Sequence, residues 1–314
     1  MVNLYMMVGL PGSGKTTYAK KLCSEWAKDG RNLTRVGTDD IREELFGDES
    51  IQTGSDKVFK TALERVVKCV NECNSVVFDA TNLSSKHRMS FINNVKRLTK
   101  NNFRSVAIVM CTDFDECCRR NKSRTRKVPQ EVLDRMIKQF QCPYAAEGFD
   151  SIVFAGLEKQ LPMFSPDRFA ENAIGDFDQK TPYHKYDLLT HCKKVAEQFP
   201  EHDRERRIAG YLHDYGKLFT QVIDKDGVAH YYGHENVGAY RIMCLAGHFY
   251  DFVCDPYGTL LVNVLFYINH HMHIRDIIKS EKAIKKYKAL WGEDRFNKLV
   301  EFMEADNKAS GREE

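Results

Sequence analysis

This sequence of 314 residues lacks several features, and each absence closes off a class of protein. No run approaches the roughly 18 consecutive apolar residues of a membrane-spanning helix, so no membrane partner is expected. The first strand-like run starts almost at Met1 and leaves no room for a secretory leader. The ten cysteines form no C-x-x-C pair. Scattered, with Cys117 and Cys118 adjacent on a helical stretch, they suit reduced thiols in a cytoplasmic setting better than a disulfide framework. Internal repeats and low-complexity tracts are also missing.

What is present divides in two, as the length leads one to expect. Residues 1–155 carry 25 Lys/Arg against 19 Asp/Glu, and residues 156–314 carry 22 against 25; the modest positive excess suits a polyanionic partner. In the first half, β-rich runs at Leu4–Val8, Leu33–Gly37, Ser75–Asp79, Arg104–Met110 and Ser151–Phe154 alternate with amphipathic stretches. In one of these, 56–73, Phe59, Ala62, Leu63, Val66, Val67 and Val70 recur at helical spacing. This predicts an α/β domain over 1–155, a parallel sheet with flanking helices. Pro162, Pro166 and Pro182 punctuate an aperiodic stretch read as a linker over 156–181. From 182 to 314, helical segments dominate (186–197, 204–215, 236–246, 259–269, 280–290 and 294–303), and ten of the eleven histidines fall there. An all-α domain is expected, with the basic run 279–288 as a solvated helix face.

The stretch Gly9 to Thr17, GLPGSGKTT, follows the first strand and has the G-x-x-x-x-G-K-[ST] form of a phosphate-binding loop. Gly12, Ser13 and Gly14 let backbone N–H groups turn toward a polyphosphate; Lys15 adds a point charge, Thr16 a hydroxyl for Mg²⁺, and Thr17 completes the loop. ATP or another nucleoside triphosphate with Mg²⁺ is the expected ligand. At the end of the second strand, Asp39 or Asp40 is placed to accept a proton from an attacking hydroxyl while the other caps the next helix, and Arg42 is placed to hold an acceptor phosphate. Asp79 ends the third strand, either near Mg²⁺ or as a turn residue. The run Arg119–Lys127 is either a solvated loop or a lid whose arginines meet phosphate oxygens bidentately.

As a set, the GxPGSGKT loop, Asp39-Asp40-Ile41-Arg42, Thr81-Asn82-Leu83 and Arg120-Asn121-x-x-Arg124 followed by Val128-Pro129 resemble the 5′-kinase domain of phage polynucleotide kinases. The resemblance covers residues 1–155. It implies that Lys15 and Thr16 bind the donor phosphates and Mg²⁺, that Asp39 is the general base, that Arg42 grips an acceptor 3′-phosphate, and that Arg120 and Arg124 close on the donor. The phage pattern has aspartate immediately before Thr-Asn; here that residue is Ala80, with Asp79 one position earlier.

In the second half, His213-Asp214 at a predicted helix end gives mixed nitrogen and oxygen ligation suited to Mn, Fe, Ni, Co or Zn. The pair gains meaning from His191, His234, His270-His271 and Asp306 around it. The order resembles H…HD…D of the HD-domain phosphohydrolases, over residues 180–310. It implies His191, His213, Asp214 and Asp306 as ligands, with Asp276 competing for the last place. His234 and His271 look like the extra histidines of members with two metals, with His270 the alternative to His271. Lys217 would neutralise the scissile phosphate. His184, His202, His230, His248 and His273 are left as structural or surface residues. Phage polynucleotide kinases pair their kinase with a D-x-D-G-T phosphatase, a motif absent from this sequence.

The two resemblances together imply a bifunctional end-healing enzyme. It would phosphorylate 5′-hydroxyls and remove or open 3′-phosphate or 2′,3′-cyclic phosphate ends, on RNA in preference to DNA, for a nucleic-acid ligase to join. The rival readings are a small-molecule nucleoside or nucleotide kinase fused to an HD nucleotidase, and a nucleotide-sensing module controlling an HD hydrolase.

Overall fold

The computed structural model describes residues 1–48, 51, 53–175, 177–181, 185–255 and 257–311. Its residues group into two compact units, Met1–Met136 with Pro143–Gly156, and Ile137–Cys142 with Leu157–Glu314.

The first unit is built on five parallel strands: β1 (Val2–Val8), β2 (Leu33–Gly37), β3 (Ser75–Asp79), β4 (Phe103–Met110) and β5 (Ser151–Ala155). Their spatial order is β2-β3-β1-β4-β5. Parallel neighbours need crossover connections, supplied by α1 (Lys15–Lys28), α2 (Thr38–Phe46), α3 (Ser55–Asn71), α4 (Ser85–Leu98), α5 (Phe114–Ser123) and α6 (Gln130–Ile137). Every residue of β3 is buried, as expected of a strand covered on both faces. Phe78 stacks on Phe91 of α4, ring centroids 4.1 Å apart. On α3 the buried stripe is Val58, Ala62, Val66 and Val70; Phe59, expected in that stripe, is 42% exposed.

Among the described residues, one ion pair is wholly inside this unit. Arg88 of α4 meets Glu147 bidentately at 2.6 Å with both side chains fully buried, and its remaining nitrogen donates to the carbonyls of Asn82 and Leu83. Asn82 in turn donates to the carbonyl of Met7 at 2.8 Å, from the left-handed conformation (φ 46°) that asparagine tolerates. The Thr81-Asn82-Leu83 segment is thus a strut between α4 and the end of β1.

The second unit is helical: α7 (Pro166–Ile174), α8 (Leu188–Glu197), α9 (Arg204–Leu212), α10 (Lys217–Thr220), α11 (His234–Leu245), α12 (Tyr250–Val253), α13 (Thr259–His270), α14 (Ile274–Ile277), α15 (Glu281–Trp291) and α16 (Glu293–Ala309). Asp187, Asp203 and Ser280 cap α8, α9 and α15 by accepting from backbone N–H groups. Residues 137–142 are sewn into this unit. Asn269 of α13 donates to the carbonyl of Phe140 and accepts from the N–H of Cys142, and Asn236 donates to the carbonyl of Lys138.

Three differences from the sequence reading have physical causes. The expected linker 156–181 contains α7, which packs on α8 and α9; Pro166 is its first residue, where a missing N–H costs no helical hydrogen bond. A two-stranded antiparallel pair, β6 (Val222–Ile223) and β7 (Ala229–His230), interrupts the helices with strands too short to show a period. The last helix runs to Ala309 and so carries Asp306. Pro182 and His184 lie outside the described residues.

Removing one partner of a buried pair strands the other charge. Glu147→Ala is therefore expected to cost the first unit about 3–5 kcal/mol in urea unfolding, whereas Arg88→Met with Glu147→Leu should recover most of that loss.

Candidate active sites

In the first unit the strands' carboxyl ends converge where ligands of open α/β sheets gather. β1 ends at Val8 and the glycine-rich loop turns into α1 at Lys15. Gly12 has φ +84°, and a Cβ there would come within 2.3 Å of the Cys117 carbonyl, so no larger residue fits without moving α5. Gly14, at φ +89°, caps α1. Ser13 is buried, Thr16 half-buried and Thr17 exposed. Lys15 is 8% exposed and its Nζ donates to the Leu10 carbonyl at 2.8 Å. Burial lowers its pKa to about 8, against the pull of Asp79 and Asp39.

Asp39 lies in the first turn of α2, and its Oδ1 is shared by Arg42 at 3.0 Å and Arg126 at 3.2 Å. Asp40 faces away to Arg35 at 2.8 Å. Of the two aspartates, Asp39 is the one paired with Arg42. Arg42 is 8% exposed, and its Nε has no hydrogen-bond partner among the described residues. Asp79 is buried and accepts from Arg35 at 2.8 Å. Arg35 and Arg126 were not singled out from the sequence, because each finds its carboxylate across the fold.

The basic run is anchored at its base. Asn121 donates to the Val128 carbonyl and accepts from the Val128 N–H, closing the loop that holds Arg124 and Arg126. Arg120 donates to Glu116 at 2.6 Å, and a Cβ on Gly14 would lie 3.6 Å from its guanidinium. Arg119 and Arg120 hold the Glu116 carboxyl at about 2. Arg124 is exposed, and its charge helps to lower the pKa of Lys15.

The second unit gathers four histidines and two aspartates, all buried. His191 comes from the buried face of α8, and His213 and Asp214 from the turn after α9. His234 opens α11, His271 closes α13, and Asp306 lies near the end of α16. Asp214 stands between two groups. Its Oδ2 is 3.5 Å from His191 Nε2 and 3.3 Å from His213 Nε2, and Asp306 Oδ1 is 3.1 Å from His191 Nε2. Its Oδ1 is 3.1 Å from His234 Nε2 and 3.7 Å from His271 Nε2. Lys217 donates to Oδ2 at 2.8 Å and to Gln179 at 3.0 Å. A Cβ on Gly216 would sit 1.9 Å from the His234 carbonyl, so only glycine lets this turn approach α11.

The donor set fits a cation. His213, His234 and His271 each set Nδ1 against a backbone carbonyl, of Gly210, Tyr231 and Ile268, at 2.8–2.9 Å. With Nδ1 so engaged, Nε2 is the ring nitrogen that would face a metal. The Nε2 atoms of His234 and His271 are 3.2 Å apart, those of His191 and His213 3.3 Å. Burial disfavours ionisation of Asp214, but Lys217 and His213 hold its pKa well below the carboxylate range; for Asp306, burial is outweighed by His191 and His213. Burial, with His213 and His234, pushes the His271 pKa well down.

The competitors sit elsewhere. His270 packs between Phe266 and Trp291, and Asp276 is exposed and paired with Lys279. His230 pairs with Asp224, His248 meets the Pro162 carbonyl, and His202 is exposed. Gln179 and Arg275, the latter 2.6 Å from Asp306, were missed from the sequence.

Comparison with known proteins bears on the first unit. A family model described as an AAA domain matches residues 4–143. The L-seryl-tRNA(Sec) kinase of Methanococcus maripaludis is 28% identical over 152 residues, 47% of this chain and 56% of that protein. The "Putative bifunctional polynucleotide kinase/RNA ligase" of Autographa californica nuclear polyhedrosis virus is 27% identical over 153 residues, 44% of this chain and 20% of that protein. The chain thus spans about half the length of the first relative and a fifth of the second. Among solved structures, the Pnkp1/Rnl/Hen1 RNA repair complex aligns at 24% identity with a TM-score of 0.36, covering 44% of this chain and 43% of that one. The first unit is a P-loop domain of the kinase type. Its relatives include a protein named as a polynucleotide kinase.

A lysine that titrates near 8 loses its charge as pH rises through that value. Nucleotide affinity, measured by calorimetry with Mg²⁺, should be flat below pH 7 and about tenfold weaker at pH 9, one unit above the lysine's pKa. Lys15→Arg should remove the alkaline fall.

Proposed function

We propose that the protein heals both ends of a broken nucleic acid, RNA in preference to DNA, for a ligase to join. The first unit would phosphorylate a 5′-hydroxyl, and the second would remove a 3′-phosphate or open a 2′,3′-cyclic phosphate. The observation that carries this reading is the pairing, in one chain, of an Asp39–Arg42 pair beside a phosphate loop with a buried histidine–aspartate cluster. A kinase and a phosphate-removing hydrolase would cancel on one end, but they act in sequence on opposite ends of a break.

At the first site Asp39 takes the proton as the 5′-oxygen attacks the γ-phosphorus and the bond to the β-phosphate oxygen breaks, releasing the nucleoside diphosphate. Lys15, Arg120 and Arg124 carry the charge on the transferring group, and Arg42 orients Asp39 and holds the acceptor's phosphate. Mg²⁺, held with Thr16, would neutralise donor oxygens.

At the second site His191, His213, Asp214 and Asp306 would hold one divalent transition metal. His234 and His271 would hold a second, with Asp214 between the two. Such ions lower the pKa of bound water and polarise a phosphoryl oxygen. Lys217 adds positive charge beside Asp214, and Gln179 fixes its ammonium. The helices exclude bulk water from the ligand atoms.

The test is a short RNA with a 5′-hydroxyl and a 2′,3′-cyclic phosphate, incubated with the full chain, Mg²⁺ and Mn²⁺, with and without ATP, both ends resolved by mass. A 5′-phosphate gained only with ATP, and a converted 3′ end in either case, is the expected result. Asp39→Asn should slow the first by about 10²–10⁴-fold and spare the second; His213→Ala should do the reverse. Preference for mononucleosides would favour the small-molecule kinase, and tight nucleotide binding without transfer would favour the sensor.

A further inference from the structure

We infer that Arg275 is a positioning residue of the metal site, aiming Asp306 and tying together the two ligand groups; the inference rests on the metal reading above. Arg275 lies in α14, four residues after His271. Its guanidinium donates to Asp306 Oδ2 at 2.6 Å and, through another nitrogen, to the Asn307 side chain on the same helix, α16. The carboxylate is thereby divided. Oδ2 is held by Arg275, and Oδ1 is left facing His191 Nε2 at 3.1 Å and His213 Nε2 at 3.8 Å. A free carboxylate rotates about its terminal torsion and presents either oxygen, or both. With one oxygen fixed, Asp306 offers a single, directed donor.

The chain context adds a second effect. His271 belongs to the group on the Asp214 Oδ1 side and Asp306 to the group on the Oδ2 side. Arg275 follows the first within one short segment and grips the second, so its side chain joins the two groups at the ligands, in addition to the Tyr267–Phe302 ring contact between α13 and α16. The forked guanidinium reaches Asp306 and Asn307 through two separate nitrogens, whereas an ammonium would have to reach both from one atom. Arg275 is 28% exposed at its side chain, so its loss is open to water and need not unfold the unit.

Outer partners of metal ligands typically change metal affinity by about 10–100-fold, and that is the expected size here. The experiment titrates Mn²⁺ into the metal-stripped full chain, wild type, Arg275→Ala and Arg275→Lys, following free Mn²⁺ by electron paramagnetic resonance and thermal unfolding in EDTA. The expected result is Mn²⁺ affinity about 10–100-fold weaker in Arg275→Ala, only partly restored in Arg275→Lys, with metal-free unfolding temperatures close to wild type. Equal affinity in wild type and Arg275→Ala would overturn the role of Arg275 and leave the metal site standing. So would a loss of affinity matched by a fall in metal-free stability. A wild-type chain that binds no Mn²⁺ would overturn both.

Discussion

The helical unit depends on one buried negative charge. Asp214 is almost inaccessible to water, and a carboxylate moved from water to such a place must be met by cations or donors or give up its charge. Lys217 donates to it at 2.8 Å, and four further side chains, His191, His213, His234 and His271, bring their Nε2 atoms to 3.1–3.7 Å from it. They come from α8, the turns after α9 and α13, the start of α11 and the start of α10. The helices are arranged to end at the carboxylate, and this explains why Gly216 must be small and why α8, α9, α11, α13 and α16 share a core.

The P-loop unit solves the opposite problem. Its ligand is expected to be anionic, so it stores positive charge in advance. Lys15 is buried against a carbonyl, Arg42 is buried with one nitrogen unmet among the described residues, and the 119–127 run projects from a base closed by Asn121 and Val128. The two cations on Asp39 keep its charge compensated. Arg35, between Asp40 and Asp79, keeps two other carboxylates from repelling a phosphate. The Arg88–Glu147 pair lies behind this display, bracing the segment that supports the end of β1.

Elements whose signal is local were legible in the sequence. The five strands were expected within a residue or two, because they are short β-rich runs between turn residues. The glycine loop, Asp39-x-x-Arg42 and His213-Asp214 are contiguous motifs, and the fold gathers their residues at two sites. What sequence could not supply is pairing at a distance. Arg126 finds Asp39, Arg88 finds Glu147, Gln179 finds Lys217 and Arg275 finds Asp306, each across dozens of residues and none with a distinctive neighbour. Helix α7 was hidden because Pro166, which usually ends a helix, here begins one. Order in the chain favours Asp306 over Asp276, and in the fold Asp306 falls on the buried face of α16, whereas Asp276 faces solvent beside Lys279.

The six residues 137–142 belong with the helices, yet β5, the last strand of the sheet, comes after them in the chain. On the ribosome, where domains fold as they emerge, the sheet can close while Lys138, Phe140 and Cys142 still wait for Asn236 and Asn269, about a hundred residues from being made. The protein is therefore laced rather than strung. Neither unit is a continuous stretch of gene, and a cut after residue 156 would leave the helical unit without a piece of its own interior.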